Sequence, residues 1–370
     1  MIRYCENLSE KRNTADISEY NAGEAAKVRS FHESLDSYGM TPLRSLDNLA
    51  SSYGVGRVFV KDESYRFGLN AFKGLGGSYA IYRETQKNAD IDTVITATDG
   101  NHGRGVAWSA RNLGLNSVVY MPKGTARERL DNILALGADA SILELNYDGC
   151  VSKAREDAEK NGWTLIQDTS WPGYEETPKY IMQGYTTMAL EALEQMDGIL
   201  PTHIFLQAGV GSMAASVTAF FTDYMKDRKP VITIVEPHEA DCVYKTAKAN
   251  DGKIHICTGE MKTIMAGLAC GVPCGIAWEI LESYADFFVS IPDETAAEGM
   301  RILAANKIVS GESGASAFGF FCNLMSDASL KELKNKMSLG KDSVVLFFST
   351  EGATDRENYK KIVGENPTEG

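Results

Sequence analysis

The chain has 370 residues, of which 44% are hydrophobic and 24% charged, and its formal net charge is -13. This length allows one large or two ordinary domains with a substantial core. The acidic balance argues against nucleic acid as a partner, because a polyanion requires a basic face. No apolar run is long enough to cross a bilayer, so no membrane partner is expected. The N-terminal residues lack the apolar core of a signal peptide, and the expected location is cytoplasmic.

The cysteines are odd in number and spread along the chain, which suits reduced thiols. They are Cys5, Cys150, Cys242, Cys257, Cys270, Cys274 and Cys322. The spacing of the pair at 270 and 274, without histidines nearby, does not indicate zinc, and no metal is expected. A disulfide within the group at 242, 257, 270 and 274 stays open from the sequence.

The first 50 residues are predicted to be a polar arm followed by loop and a short helix, and a strand is predicted over 57–63. Further strands are predicted over 93–97, 117–121, 140–145 and 164–166, with helices over 104–113, 127–136 and 151–161 between them. A second set follows, with helices over 180–195, 214–224, 278–285 and 295–307, and strands over 203–206, 231–235 and 343–348. The segment between 236 and 277 is predicted to be irregular.

Such alternation implies right-handed βαβ units and parallel sheets. The predicted fold class is therefore α/β, with two lobes of open, twisted, mostly parallel sheets flanked by helices. A cleft between two lobes is a usual place for a ligand.

Lys73 lies among the apolar residues Phe67, Leu69, Phe72 and Leu75, ahead of a helix predicted over 78–86. Partial desolvation and the positive end of that helix would both disfavour the ammonium form and lower the pKa of Lys73. A lysine in this state can act as an amine nucleophile and form a Schiff base with a carbonyl compound.

A glycine-rich loop joins a predicted strand to a predicted helix and consists of Gly209, Val210, Gly211, Ser212 and Met213. Its backbone N–H groups and the helix N-terminus would suit a phosphate. The same loop also fits the G-x-G-x-x-A fingerprint of dinucleotide-binding units, and Glu236 stands roughly where such a unit binds a ribose hydroxyl. This segment alone does not separate the two interpretations, although the nicotinamide interpretation leaves Lys73 and Asn101 without a role.

Two further turns end predicted strands. Asp99-Gly100-Asn101-His102-Gly103 would present N–H groups and small polar side chains to the cleft, or would form an ordinary Asx turn and helix cap. His102 is expected to be structural, because no base–nucleophile pair is apparent. At the final strand, the hydroxyl of Ser349 or Thr350 would either bind a ligand nitrogen or cap the next turn.

Taken in order, these stretches resemble the fold-type II pyridoxal-phosphate enzymes, such as threonine and serine dehydratases and threonine synthase. The resemblance extends from about residue 41 to 355. It implies a Schiff base at Lys73, contacts of Asn101 and the loop 209–213 with pyridoxal 5'-phosphate, and Ser349 or Thr350 at the pyridine nitrogen. It also implies a large cofactor-binding domain (1–90 and 188–370), a small α/β domain (91–187) and a homodimer.

Asp99 narrows the resemblance, because dehydratases usually have a small residue directly before the Gly-Asn pair. The stretches 67–73, 97–105 and 167–171 are similar to those of diaminopropionate ammonia-lyases. These carbon–nitrogen lyases of amino-acid degradation convert D- and L-2,3-diaminopropionate to pyruvate and two ammonia molecules. Their substrate carries two ammonium groups, and a second ammonium in a partly desolvated pocket requires a carboxylate partner. Asp99 and Asp168 are the two candidates.

The resemblance implies that Lys73 removes the α-proton of the L-isomer, Asp99 that of the D-isomer, and Asp168 holds the β-ammonium. Three alternatives are kept. A serine or threonine dehydratase would use both aspartates structurally, a nicotinamide-dependent oxidoreductase would be built on the loop 209–213, and a non-catalytic protein would bind the cofactor without turnover.

Overall fold

The computed structural model describes residues 1–98 and 100–367, apart from the side chain of Asp148. Its strands are β1 (Arg3–Glu6), β2 (Leu43–Ser45), β3 (Arg57–Asp62), β4 (Thr93–Ala97), β5 (Asn116–Met121), β6 (Asp139–Ile142), β7 (Thr164–Leu165), β8 (His203–Gln207), β9 (Val231–Pro237), β10 (Phe287–Ile291) and β11 (Val344–Ser349). Its α-helices are α1 (Ala22–Glu33), α2 (Asp47–Tyr53), α3 (Lys73–Lys87), α4 (Asn101–Asn112), α5 (Arg127–Leu134), α6 (Tyr147–Asn161), α7 (Glu176–Gln195), α8 (Ser212–Met225), α9 (Cys242–Ala249), α10 (Gly275–Tyr284), α11 (Asp293–Ala305), α12 (Glu312–Ser326), α13 (Lys331–Lys336) and α14 (Arg356–Val363).

The strands form two sheets. The larger has the order β1-β10-β9-β8-β11-β3-β2 and is parallel except at its two edges, where β1 and β2 run antiparallel to their neighbours. The smaller has the order β6-β5-β4-β7 and is parallel throughout. The predicted α/β class with mostly parallel, helix-flanked sheets is confirmed. The strands of the smaller sheet lie between residues 93 and 165, while the domain boundaries at 90/91 and 187/188 stay predictions.

The larger sheet is buried on both faces, which explains why its central strands are nearly continuous apolar runs. Alternate residues face opposite cores, as the pleat of a strand requires. Leu346 and Phe348 join the core beneath α3, α7, α8 and α10, whereas Val345 and Phe347 join the core beneath α11 and α12. The sheet is thus the middle of three layers.

The N-terminal prediction is wrong, because the structure has β1 and the 12-residue α1 there. The sequence of β1 carries no apolar alternation, since this short edge strand is only half buried. It is held instead by pairing with β10 and by the ion pair of Arg3 with the buried Asp241, whose atoms are 2.9 Å apart.

Other differences have packing causes. The helix predicted from residue 78 begins at Lys73, and its glycines lie inside the helix at close contacts with neighbouring elements. A Cβ on Gly76 would approach Tyr185 to 2.6 Å, and a Cβ on Gly184 would approach the Leu75 carbonyl to 2.5 Å. The unpredicted helix α12 is buried over most of its surface, so it lacks the apolar stripe by which a sequence pattern reveals a helix.

A group of four fully buried charges lies just before the Lys73 segment, and we call it the buried ion cluster (Lys61, Glu63, Arg66, Glu191). The guanidinium of Arg66 donates to both Glu63 carboxylate oxygens at 2.8 and 2.9 Å and to both Glu191 oxygens at 2.9 and 2.7 Å. Lys61 Nζ lies 2.6 Å from a Glu191 oxygen. The cluster therefore ties the chain leading to Lys73 to helix α7.

Among the helices of residues 1–98 and 100–367, none is both long enough and apolar enough to span a bilayer.

Candidate active site

A cavity of about 890 Å³ opens at the carboxyl ends of β4, β8 and β11. Crevices at this end of parallel strands are the usual ligand sites of open α/β sheets. The predicted site residues that line it are Lys73, Asn101, Asp168, Gly209, Val210, Gly211, Ser212, Met213 and Thr350. The fold thus brings together residues that are far apart in sequence.

Lys73 is the first residue of α3, and its Nζ lies 2.6 Å from the Asp168 Oδ2. The two side chains are 18% and 9% exposed, so water screens their attraction only partly. The ammonium also lies over the rings of Phe72 and Tyr185, at 5.3 and 5.9 Å from their centroids. The site therefore already holds one ammonium group between a carboxylate and aromatic faces.

The lowered pKa predicted for Lys73 is wrong for this arrangement. Burial does disfavour the ammonium form, but the contact with Asp168 outweighs burial and raises the pKa of Lys73 above its ordinary value. Burial likewise opposes ionisation of Asp168, but the charge that His102 carries when protonated, together with the Lys73 ammonium, lowers the pKa of its carboxyl group to about 2. The Asp168 carboxylate, which is distant from Lys73 in the sequence, thus determines the direction of the pKa shift of Lys73.

Backbone contacts fix the position of Lys73. The Phe72 N–H donates to the Thr350 carbonyl and the Gly352 N–H donates to the Asn70 carbonyl, each at 3.0 Å. On the other side, a Cβ on Gly105 of α4 would lie 2.8 Å from the Lys73 carbonyl carbon, so only glycine allows this approach. The lysine is thereby held between the last strand of the larger sheet and the first helix after β4.

Asn101 begins α4 and donates from Nδ2 to the Glu351 Oε2 at 2.5 Å. The other oxygen of Glu351 accepts from the Ser313 N–H at 3.1 Å, and the side chain lines the cavity although Glu351 is only 5% exposed. The sequence motifs do not predict Glu351 as a site residue. The available signal was its place directly after Thr350, where parallel strand β11 ends.

Glu312 neighbours Glu351, and burial together with the Glu351 charge raises its pKa to about 7. The folded state thus holds an extra proton between the ordinary pKa of 4.5 and about 7, so the free energy of unfolding falls as the pH rises through this range. We expect Glu312→Gln to flatten this fall and to stabilise the protein by about 3 kcal/mol above pH 7. Urea unfolding at about pH 5 and about pH 8 measures it.

The matched control is Glu332→Gln, since the Glu332 side chain is 74% exposed. It should leave the pH dependence of stability as in the parent protein. A Glu312→Gln variant whose stability falls between the two pH values as steeply as the parent's would contradict the assignment.

The glycine-rich loop leads from β8 into α8, where Gly211 is the residue before the helix and has a left-handed φ of 96°. A Cβ on Gly209 would lie 3.1 Å from Cys270 Sγ and 3.2 Å from the Gly267 carbonyl oxygen, so a side chain would fill the space beside the glycine-rich loop. The first N–H groups of a helix have no acceptor within it and suit an anion. Ser212 Oγ donates to the Asp168 carbonyl at 2.9 Å. This hydrogen bond joins the glycine-rich loop to the residue whose carboxylate pairs with Lys73.

The two hydroxyl candidates at the end of β11 differ in their surroundings. Thr350 lines the cavity, and its Oγ1 accepts from Gln207 Nε2 at 2.8 Å, which leaves the hydroxyl proton for a ligand. Ser349 is 1% exposed and donates to Ser310 Oγ at 2.7 Å. This geometry favours Thr350 over Ser349 as the residue that meets a ligand nitrogen.

Asp99 lies outside the described residues, so its predicted role has no structural description. Glu236, in contrast, is 1% exposed and accepts from the Val243 and Tyr244 N–H groups at 2.9 and 2.6 Å. Its carboxylate is thus engaged at the N-terminus of α9, and it is not presented to a ribose bound at the glycine-rich loop.

None of the seven cysteines forms a disulfide in the structure, and Cys257 and Cys270 line the cavity. Within the described part of the chain, no group of three or more histidine, cysteine or acidic residues is placed to hold a metal ion.

The chain belongs to the family described as pyridoxal-phosphate dependent enzymes, whose model matches residues 35–349. It is 45% identical to the diaminopropionate ammonia-lyase of Salmonella typhimurium over 98% of both chains. It also superposes on the crystal structure of the Escherichia coli diaminopropionate ammonia-lyase in complex with an aminoacrylate-PLP azomethine reaction intermediate. The TM-score is 0.92 at 44% identity, covering 98% of this chain and 97% of that one.

A biosynthetic L-threonine dehydratase of Pasteurella multocida is more distant, at 31% identity over 57% of this chain and 38% of the dehydratase. The family resemblance inferred from the motifs is therefore confirmed.

Proposed function

We propose that this chain is a diaminopropionate ammonia-lyase, which uses pyridoxal 5'-phosphate to convert D- and L-2,3-diaminopropionate to pyruvate and two ammonia molecules. The observation that carries the proposal is the Asp168 carboxylate, which holds an ammonium at 2.6 Å inside the cavity. A dehydratase acting on serine or threonine meets a neutral hydroxyl and requires no such carboxylate. The 45% identity to a diaminopropionate ammonia-lyase over nearly the whole of both chains supports the same choice.

The residues present fit the cofactor. The loop from Gly209 to Met213 would take its phosphate, Lys73 would supply the amine, Asn101 an amide donor, and Thr350 a hydroxyl at the ring nitrogen. Ser349 remains the second candidate for that last contact. When bound, the cofactor supplies an electron-accepting ring that makes the substrate α-proton removable.

Lys73 must be neutral to remove the α-proton of the L-isomer, and the structure suggests how this happens. Its ammonium is stabilised by Asp168, and the substrate brings a competing ammonium of its own. Once the substrate ammonium occupies Asp168, Lys73 loses the partner that most favours its ammonium form, and burial then lowers its pKa. Binding of the substrate and activation of the base are then the same event.

Asp168 would hold the β-ammonium so that the C–N bond breaks with both electrons passing to nitrogen. Ammonia then leaves with the three protons it already carried, and no further acid is required at this step. Asp99 is proposed to take the α-proton of the D-isomer. The homodimer and the cytoplasmic location expected from the resemblance also belong to this proposal.

The test is pyruvate release from D- and L-diaminopropionate by the purified enzyme loaded with the cofactor. We expect both isomers to react, and we expect Asp99→Asn to lose mainly the D-isomer, by about 10²–10⁴-fold. Asp168→Asn should reduce turnover of both isomers, because it removes the charge that holds the β-ammonium.

Asp131→Asn, at a side chain that is 56% exposed on α5, serves as the control and should match the parent. If neither isomer reacts while serine or threonine does, the protein is a dehydratase.

A further inference from the structure

His102 lies beside Asp168 and has no role in the proposed chemistry. The residue is 4% exposed, lines the cavity and is the second residue of α4. Its Nε2 lies 2.8 Å from the Ile166 carbonyl oxygen, and its Nδ1 lies 3.7 Å from Asp168 Oδ2.

The Ile166 contact determines which nitrogen of His102 carries the proton. A carbonyl oxygen only accepts, so Nε2 must be the donor. In the neutral ring Nδ1 is then a bare acceptor, and it is a buried polar atom for which the structure provides no hydrogen-bond partner. Burial lowers the pKa of His102 despite the nearby Asp168 charge, which favours this neutral form.

Two acceptors therefore face each other, Nδ1 of His102 and Oδ2 of Asp168, at a distance too long for a direct hydrogen bond. A buried acceptor without a donor is unfavourable, so the pair calls for a group that donates to both. The Lys73 ammonium donates to Asp168 Oδ2 at 2.6 Å. Lys73 thus satisfies Asp168 but leaves Nδ1 of His102 unpaired.

We propose that His102 Nδ1 and Asp168 together bind the side-chain ammonium of the substrate, and that His102 is the residue that selects an ammonium over a hydroxyl. This inference rests on the proposed function, and it identifies the substrate group that determines the specificity of the enzyme. An ammonium has three N–H donors and satisfies both acceptors at once. The hydroxyl of serine has one donor, so it leaves one of the two acceptors unpaired.

Two substitutions separate this role from a structural one. Asn places its side-chain oxygen near the position of Nδ1, so His102→Asn keeps the acceptor and loses the Ile166 contact. Gln reaches the position of Nε2, so His102→Gln keeps the Ile166 contact and loses the acceptor. A purely structural histidine would be served better by Gln, whereas the proposed role is served better by Asn.

The readouts are kcat/KM for diaminopropionate and the inhibition constant of serine, with loading checked by the absorbance of the bound cofactor. We expect His102→Gln to lower kcat/KM about 10- to 100-fold while serine inhibition changes little, because a buried ammonium N–H left without its acceptor costs about that factor. His102→Asn should retain most of the preference. Equal losses for both ligands in His102→Gln, or a worse Asn variant, would overturn the inference.

A measurement without turnover completes the test. Nitrogen-15 NMR of the cofactor-free protein should show, among the signals of its five histidines, a ring with a protonated Nε2 and an unprotonated Nδ1 that disappears in His102→Gln. A doubly protonated His102 at neutral pH would refute the proposed acceptor. If the parent enzyme releases no pyruvate from diaminopropionate, the proposed function itself fails, and this outcome is distinct from either result at His102.

Discussion

Lys73→Ala and Lys73→Arg should both abolish pyruvate release, but only the alanine variant should alter the electrostatics of Asp168. Both remove the amine that attaches the cofactor and takes the α-proton. The proton transfer alone is worth about 10²–10⁴-fold in rate, and loss of covalent attachment adds to it. Arginine keeps a cation near Asp168, whereas alanine leaves a 9%-exposed carboxylate unpaired and so raises its pKa from about 2.

The measurements are pyruvate release, the absorbance of bound pyridoxal phosphate after dialysis, and the thermal midpoint at neutral pH and in acid. The control is Lys87→Ala, which removes the lysine at the other end of the same helix, α3. That variant should retain cofactor and turnover. An alanine variant at position 73 that keeps even a tenth of parental turnover would refute the role of this lysine.

Arg66→Met should lower the free energy of unfolding by about 3–5 kcal/mol, the largest stability effect expected from a single exchange here. Arg66 is fully buried and donates to both Glu63 and Glu191. Methionine fills much of the volume but leaves two buried carboxylates with only Lys61 as a cation. Removing one partner of a buried ion pair costs more free energy than the pair contributes in net terms. The remaining carboxylates stay buried, away from water, without the cation that compensated their charge.

Urea-induced unfolding followed by tryptophan fluorescence measures the effect, and the control is Arg127→Met. The Arg127–Asp131 pair is also joined at 2.9 Å, but its side chains are 75% and 56% exposed, so the expected loss is at most about 1 kcal/mol. A similar small loss for both variants would mean that water reaches the buried ion cluster. Because Arg66 lies on the segment leading to Lys73, its variant should also lose cofactor affinity.

The sequence motifs predicted the cavity residues where the signal is local. Gly209 and Gly211 mark the phosphate loop because close backbone approach and a left-handed φ require glycine, and this requirement is visible in a few letters. The βα alternation predicted the central strands because buried parallel strands are apolar runs. The predicted start of α3 was less exact. The glycine-rich stretch before residue 78 was interpreted as a loop, but it forms the first turn of the helix.

What the motifs could not predict are pairings between distant segments. The contact of Lys73 with Asp168 spans 95 residues and reverses the expected pKa shift, and the bond of Asn101 to Glu351 spans 250. His102 was expected to be structural, since the orphaned state of its Nδ1 depends on where the Ile166 carbonyl lies. These contacts depend on which distant segments come together in the fold, and no local sequence pattern indicates them.

The position of β11 has a consequence for synthesis. This strand is made after both of its neighbours, yet it lies between β3 and β8, and the residues that follow it hold the backbone at residues 70 and 72 through hydrogen bonds. On the ribosome, one edge of β3 therefore stays unpaired until β11 has been made, and Lys73 has no fixed location until then. A nascent chain that stops before Val344 would lack both a continuous sheet and an assembled cofactor site. Truncated chains should consequently not bind pyridoxal phosphate, and they should be degraded or aggregate. Incomplete copies would then not compete with the full chain for the cofactor.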